Sequence, residues 1–208
     1  GLIYVLHEEE RLTRADNNLK YPAVLRANVY DCVDTILTSE WDDDDYTNFQ
    51  SSKINIHPHF FQFDTGASDG VISGMEWEMS VRPFTMFSKP KKAGLPVPMN
   101  SKLTKAVKAG AKFITIKMAE GATKYHVNTE LLVGADCLQA DNDPTTSLKR
   151  DRSCSEIVRI KEIKGETITF VTPLKNDHPV GDIVTPEFVR YRYWVDADTG
   201  TVFWHDHA

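Results

Sequence analysis

Apolar and polar residues alternate along most short stretches of this chain, with the two-residue period that is typical of β-strands. The alternating runs occupy residues 23–37, 53–63, 111–118, 129–135, 156–171, 188–195 and 200–208. Turn-forming residues separate these runs, and we find neither an internal repeat nor a heptad pattern. The pattern therefore predicts an all-β protein.

Three of the runs carry more specific expectations. The run 23–37 is expected to form two strands around a turn at Asn28–Asp31. Residues 156–171 read as two alternating halves around Gly165, which predicts a hairpin. In the second run, Pro58 lacks a backbone N–H and therefore argues against a central, fully paired strand position.

Composition narrows the class of protein. Hydrophobic residues make up 41% of the 208 positions, which is enough for a packed core. A net charge of −6 argues against a nucleic-acid or anionic-membrane partner, since either would favour a basic surface. There is no apolar run near 18 residues long and no recognisable signal peptide, so we expect no membrane span. A first residue that is Gly rather than Met suggests a processed, engineered or excised chain.

A change in composition divides the chain. Residues 88–99 are rich in Pro and Lys, which predicts an extended linker before a second block of short strands. We therefore expect residues 1–99 and 186–208 to form one domain, with 100–185 as a compact β insertion at a loop.

The three cysteines allow two interpretations. Cys32 lies in an apolar strand pattern and is expected to be a small buried hydrophobic residue. Cys137 and Cys154 flank a polar loop and could form a disulfide across it, but spacing alone leaves this open.

Two His-x-His pairs are the main candidates for chemistry. His57 and His59 form the first pair, and His205 and His207 form the second. In a strand, residues i and i+2 point to the same face, so each pair aims two imidazoles in one direction. Imidazole is a good ligand for copper, zinc, iron and nickel. The alternatives are coincidental exposed strands or a structural zinc site, although the chain has no Cys-x-x-Cys to support the latter.

The other polar clusters are weaker candidates. The acidic run 41–45 is expected to be a solvated loop, with a hard-cation site as the alternative. His126 and His178 are isolated in the sequence and are expected to be surface or loop residues.

Both His pairs lie in stretches that resemble multicopper oxidases. Residues 56–70, IHPHFFQFDTGASDG, resemble the first copper motif of that family, and residues 191–207, YRYWVDADTGTVFWHDH, resemble the second. Residues 68–84, SDGVISGMEWEMSVRPF, are most similar to the large bacterial oxidases associated with manganese(II) oxidation. The middle block resembles a small β module that is inserted in various extracellular bacterial proteins.

The resemblance implies a fold and a set of ligands. It implies a cupredoxin-like Greek-key sandwich with an inserted small β module. His57 would bind the type 2 copper, while His59, His205 and His207 would bind the type 3 pair of a trinuclear cluster. Asp69 falls at the position of the family's acidic residue near the cluster and could supply protons there. The alternative for Asp69 is a simple Asp-Gly turn residue.

The chain departs from that family in three ways. Phe60 follows the first His pair where a Gly is usual, and the insertion separates the two motifs far more than usual. The other two copper motifs are missing, including the His-Cys-His that serves the type 1 copper, so no type 1 site is expected in this chain. The remaining pairs offer half of the imidazoles that the cluster takes.

These observations favour an enzyme that works only as part of something larger. We expect a segment of an extracellular, cell-surface or periplasmic oxidase that reduces O2 with electrons from manganese(II), iron(II) or an organic donor. Its partner would be the segment or chain that carries the other copper motifs. The alternatives are a non-enzymatic extracellular metal-binding or adhesive β module, and a zinc hydrolase. The latter is disfavoured because Asp69 is the one candidate general base beside the ligands.

Overall fold

The computed structural model of the chain describes Tyr4, Leu6, Asp16, Asn18 and residues 23–39, 54–60, 79–81, 100–118, 125–135 and 154–206. Over these residues the protein is all-β, as predicted, with ten strands. The strands are β1 (Cys32–Leu37), β2 (His57–His59), β3 (Ser101–Leu103), β4 (Phe113–Met118), β5 (Glu130–Val133), β6 (Glu156–Lys164), β7 (Thr167–Phe170), β8 (Ile183–Thr185), β9 (Val189–Trp194) and β10 (Phe203–His205). None of the described residues forms a helix long and apolar enough to cross a membrane.

The chain divides into two compact units. The first comprises Gly1–Arg26, Ser101–Lys117 and Tyr125–Val184, and the second comprises Ala27–Asn100, Met118–Lys124 and Thr185–Ala208. The predicted domain boundaries at 99/100 and 185/186 stay a prediction, and the linker expected at 88–99 lies outside the described residues.

Strands β3 to β8 form a closed antiparallel barrel in the order β3-β4-β7-β6-β5-β8. Alternate residues of these strands point inwards, as the two-residue period requires. Eight inward side chains are each no more than 2% exposed, namely Ile114, Ile116, Leu131, Val133, Val158, Ile160, Ile168 and Phe170. Closure of the barrel pairs every strand on both sides, which removes unpaired strand edges.

The predicted hairpin is confirmed as the β6–β7 pair. Lys164 pairs with Thr167, so the loop consists of two residues, Gly165 and Glu166. Gly165 has a φ of 58°, a left-handed conformation that glycine adopts without steric penalty. A register shift between Ile160 and Glu162 marks a bulge in the longer strand.

The segment that forms the barrel begins and ends at adjacent positions. Ser101 in β3 pairs with Val184 in β8, and the Tyr125 hydroxyl lies 3.0 Å from both the Ser101 hydroxyl and the Val184 carbonyl oxygen. One residue further out on each side, the Thr185 hydroxyl donates a hydrogen bond to the side-chain oxygen of Asn100. Both residues of this second pair are fully buried.

The second unit contains two small antiparallel sheets, β1–β9 and β2–β10. In the β1–β9 sheet, Leu37 pairs with Val189, and both pack on the buried face together with Tyr191. The opposite face is exposed, and there the Arg190 guanidinium donates to the carboxylate of Asp34. Burial alternates along both strands, although Ile36 of β1 lies on the exposed face.

One predicted strand is absent. Residues 23–27 are irregular, so the run 23–37 contributes one strand rather than two. The turn itself forms, because the Asp31 carboxylate accepts the Asn28 N–H at 2.7 Å and the Asp31 N–H donates to the Asn28 carbonyl. Val24 and Leu25 are exposed, and no described strand pairs with them. Without a hydrogen-bonding neighbour, an alternating pattern alone does not hold an extended segment in a sheet.

The predictions for Cys32 and for the Cys137–Cys154 pair had different outcomes. Cys32 is exposed and has a free thiol, so the prediction of a buried residue is wrong. Strand alternation places Cys32 on the exposed face of β1, directly opposite Trp194. Cys154 is buried and forms a disulfide bond, while its candidate partner Cys137 lies outside the described residues.

Candidate metal centre

The pairing of β2 with β10 brings the first His-x-His sequence beside His205, the first histidine of the second. His205 is the register partner of His57, Trp204 pairs with Pro58, and Phe203 pairs with His59. Because side chains alternate along a strand, the histidines share one face of this ribbon, while Pro58 is buried on the other. Among the described strands, β2 pairs only with β10, which agrees with the expectation that Pro58 avoids a fully paired strand.

Three imidazoles converge on this face. The Nε2 atoms of His59 and His205 are 2.8 Å apart, and one ring nitrogen from each of His57, His59 and His205 lies within 4.8 Å of the others. The ring centres are 4.8 to 5.2 Å apart, and all three side chains are half-buried. A group of nitrogen ligands at this spacing could hold a metal ion.

The hydrogen bonds of His205 determine which of its nitrogens faces the group. Its Nδ1 lies 2.6 Å from the carbonyl oxygen of Asp206, and a carbonyl oxygen only accepts, so Nδ1 carries the proton. Nε2 of His205 therefore presents a lone pair towards His59. In the metal-free protein the His59 Nε2–H donates to that lone pair.

Two phenylalanines form an aromatic wall beside the group. Phe203 stacks on the His59 ring with centroids 4.4 Å apart and planes inclined by 17°, and Phe60 meets Phe203 edge-on at 5.5 Å. Phe60 has a φ of 66°, which is the left-handed conformation that a glycine at this position would favour. A bulky residue in that conformation is strained. Phe60 is also 73% exposed.

The backbone before the first pair is held at three consecutive residues. Ile54 forms both hydrogen bonds of a bridge with Val81, each 2.9 Å long. The Asn55 N–H donates to the Asp206 carboxylate at 3.0 Å, and the Ile56 N–H donates to the Tyr191 hydroxyl at 3.1 Å. These contacts set where β2 begins and therefore where the imidazoles of His57 and His59 lie.

The structure brings together three of the four predicted metal ligands. His57, His59 and His205 converge, while His207 and Asp69 lie outside the described residues, so their roles stay predictions. The acidic run at 41–45 lies outside them as well. Within the part of the chain that the structure describes, no other set of three or more histidine, cysteine, aspartate or glutamate residues has metal-ligand spacing.

Asp206 is a site residue that the sequence did not identify. Its carboxylate accepts the backbone N–H of Asn55, two residues before the first histidine pair. Its contact with Asn55 could not be anticipated, since 151 residues separate the two in the sequence.

His178 lies in the loop between β7 and β8, as the sequence suggested, but it is not a surface residue, because its side chain is buried inside the first unit. Its Nδ1 lies 2.9 Å from an Asp182 carboxylate oxygen, and its Nε2 lies 3.0 Å from a Glu156 oxygen. Burial alone would lower the pKa of His178, but the hydrogen bonds and negative charges of these two carboxylates outweigh burial and raise it. These carboxylates thus favour the positively charged form of His178, whereas His126 is exposed as expected.

Comparisons of this chain with protein-family models, with curated proteins and with solved structures gave no match. The functional assignment therefore depends on the residues and on the geometry of the site.

Proposed function

We propose that this chain is a copper-binding segment of a multicopper oxidase, in which it supplies half of the trinuclear cluster that reduces O2 to water. The observation that carries the proposal is the convergence of the His57, His59 and His205 imidazoles from two strands that are distant in sequence. Histidines that converge from two separate His-x-His sequences are expected of a site built from paired motifs.

Imidazole suits copper and zinc alike, so the choice of copper follows the resemblance of the two motifs and not the spacing of the nitrogens. The Nε2 atoms of His59 and His205 lie 2.8 Å apart, which is the length of a hydrogen bond between the two rings.

The ligand roles follow the resemblance of the two motifs. His57 would hold the type 2 copper, and His59, His205 and His207 would hold the type 3 pair. Copper ions held by these residues would pass electrons from a reductant such as manganese(II) to O2. Asp69 would deliver a proton to the oxygen product. Phe203, stacked on His59, shields one face of that ligand from water.

The remainder of the enzyme would come from a partner segment. The chain has four histidines in paired motifs and no His-Cys-His, so it can supply neither the second half of the cluster nor a type 1 copper. We propose that the flanking strands belong to a cupredoxin-like Greek-key domain that is completed by this partner. The disulfide at Cys154 supports an extracellular, cell-surface or periplasmic location, because disulfides persist in oxidising compartments.

Copper titration of the purified 208-residue chain tests the proposal. We expect copper(II) uptake with nitrogen hyperfine couplings in the electron paramagnetic resonance spectrum, lost when His57, His59 and His205 are all replaced by Gln. His126→Gln is the matched control, since His126 is exposed and lies outside the site. Equal copper binding by the triple variant and the wild-type chain would remove the basis of the proposal.

A second candidate is a non-enzymatic metal-binding module. Three imidazoles within 4.8 Å are sufficient for a single ion with an open coordination position, without any further segment. The two candidates differ in their response to the segment that carries the remaining motifs. If this chain is part of an oxidase, adding the partner segment should start oxygen reduction. If it is a binding module, it should keep its single ion and consume no oxygen.

A further inference from the structure

Asp206 makes two contacts, one with the strand that carries the first histidine pair and one with His205. Its carboxylate Oδ1 accepts the backbone N–H of Asn55 at 3.0 Å, and Asn55 is fully buried two residues before His57. Asp206 itself follows directly after His205 at the end of β10. This hydrogen bond therefore joins the start of one ligand-bearing strand to the end of the other.

The second contact comes from the backbone of the same residue. The Asp206 carbonyl oxygen lies 2.6 Å from Nδ1 of His205 and accepts its proton. Which nitrogen of a metal-binding imidazole is free is commonly set by the hydrogen bond that the other nitrogen makes. With Nδ1 protonated, the lone pair of His205 lies on Nε2, the atom 2.8 Å from Nε2 of His59.

We propose that Asp206 is a positioning residue for His205. Its carboxylate fixes the backbone of residue 206 against Asn55, and the carbonyl group held in this way selects the Nδ1–H form of His205. Nε2 is then presented to the metal in a fixed direction. This inference rests on the proposed function in so far as it treats His205 as a ligand, while the selection of the protonated nitrogen is a property of the metal-free chain.

The protonated nitrogen can be measured directly. Nitrogen-15 chemical shifts of the histidine rings, recorded on metal-free protein at a pH well above the ordinary histidine pKa, distinguish Nδ1–H from Nε2–H. We expect the wild-type His205 to be the Nδ1–H form. In Asp206→Ala the backbone is released, so we expect the Nε2–H form to become substantially populated and the Asn55 amide hydrogen to exchange faster.

Asp206→Asn provides the conservative variant. Its side-chain oxygen can still accept from the Asn55 N–H, so His205 should have the Nδ1–H form in this variant. If the effect of Asp206→Ala came from a general loss of stability or of negative charge, Asp206→Asn would not preserve that form. Asp198→Ala is the matched control, because the Asp198 carboxylate accepts the N–H of Gly200 within the turn before β10 and has no contact with His205 among those described. It should leave the His205 shifts unchanged.

Copper affinity provides the second readout. Asp206→Ala should bind copper(II) about 10-fold or more weakly, as is typical when a partner of a metal ligand is removed, while Asp206→Asn and Asp198→Ala should bind like the wild type. If Asp206→Ala does not fold, Asp206→Glu replaces it, because the longer side chain moves the carboxylate away from Asn55 and should also raise the Nε2–H population.

The two proposals fail in different ways. A wild-type chain that takes up no copper contradicts the proposed function, while the nitrogen-15 shifts still test the role of Asp206. The other case is a wild-type chain that binds copper. The positioning role alone is then overturned if His205 keeps the Nδ1–H form in Asp206→Ala, or if it loses that form in Asp206→Asn.

Discussion

Tyr191 and Ile56 are joined by a hydrogen bond of 3.1 Å, in which the Ile56 N–H donates to the Tyr191 hydroxyl. The same hydroxyl donates to the carbonyl oxygen of Met79 at 2.6 Å. One side chain from β9 thus satisfies two backbone groups, one of them directly before the first histidine pair. The site therefore depends on a residue that contacts none of its three imidazoles in the contacts described.

Tyr191→Phe should destabilise the protein and weaken copper binding. The substitution leaves the N–H of Ile56 and the carbonyl of Met79 without this partner, and an unsatisfied buried group costs about 1–3 kcal/mol. Urea unfolding measures the loss of stability, and copper titration measures the effect on the site. Tyr30→Phe is the control, because Tyr30 is 72% exposed. Equal midpoints for the two variants would show that the Tyr191 hydroxyl has no such role.

Gly134→Ala should be more destabilising than Gly165→Ala. Both glycines have positive φ values, 75° and 58°, so each substitution carries a left-handed strain of about 1–2 kcal/mol. A Cβ on Gly134 would also lie 2.7 Å from the Cys154 carbonyl oxygen and 3.0 Å from Nδ1 of His178, whereas nothing lies within 4 Å of one on Gly165. The difference in melting temperature between the two variants measures the effect of the steric clash at Gly134. Similar melting temperatures would contradict this prediction.

The stability of the first unit should fall as the pH rises above 6.5, the ordinary histidine pKa. The folded-state pKa of His178 is raised above its ordinary value of 6.5, so the folded protein binds this proton more tightly than the unfolded chain. The stabilisation is fully present below pH 6.5 and is lost as the pH rises through the folded pKa. Urea midpoints across this range should decline for the wild type and stay flatter for His178→Gln. A wild-type midpoint that rises with pH would rule out this account.

The isolated chain should consume no oxygen, even when it is loaded with copper. It lacks a type 1 motif and half of the cluster ligands, so electrons from manganese(II) or a phenol have no route to O2. An oxygen electrode with excess copper chelated away is the measurement. Sustained oxygen uptake by the 208-residue chain would point to a self-contained site of a different kind.

Local pattern was enough to predict the elements whose partners are close in sequence. The β6–β7 hairpin follows from alternation on both sides of Gly165, and the shared face of His57 and His59 follows from the two-residue period. In both cases the residues that determine the structure lie in one short stretch of the chain, where turn residues and alternation fix the local geometry.

Features that depend on contacts between distant parts of the sequence could not be predicted from the local pattern of apolar and polar residues. Cys32 and Leu37 both belong to β1, but which face is buried depends on the pairing of that strand with β9, far along the sequence. Asp182 lies only four residues from His178, but Glu156 lies 22 residues away, and the fold of the first unit brings all three together. The contact between Asp206 and Asn55 spans 151 residues and leaves no trace in either local sequence.

The place where the barrel segment joins the rest of the chain has a consequence for how such a chain can change. Ser101 and Val184 are paired neighbours, and Cα atoms of paired residues in an antiparallel ladder lie about 4.5–5.5 Å apart. That gap is no wider than the gap that an ordinary hairpin turn bridges. A tight turn and a complete barrel therefore present the same pair of ends to the flanking sequence. Evolution or a protein engineer can exchange one for the other at this point without changing the spacing of the chain on either side.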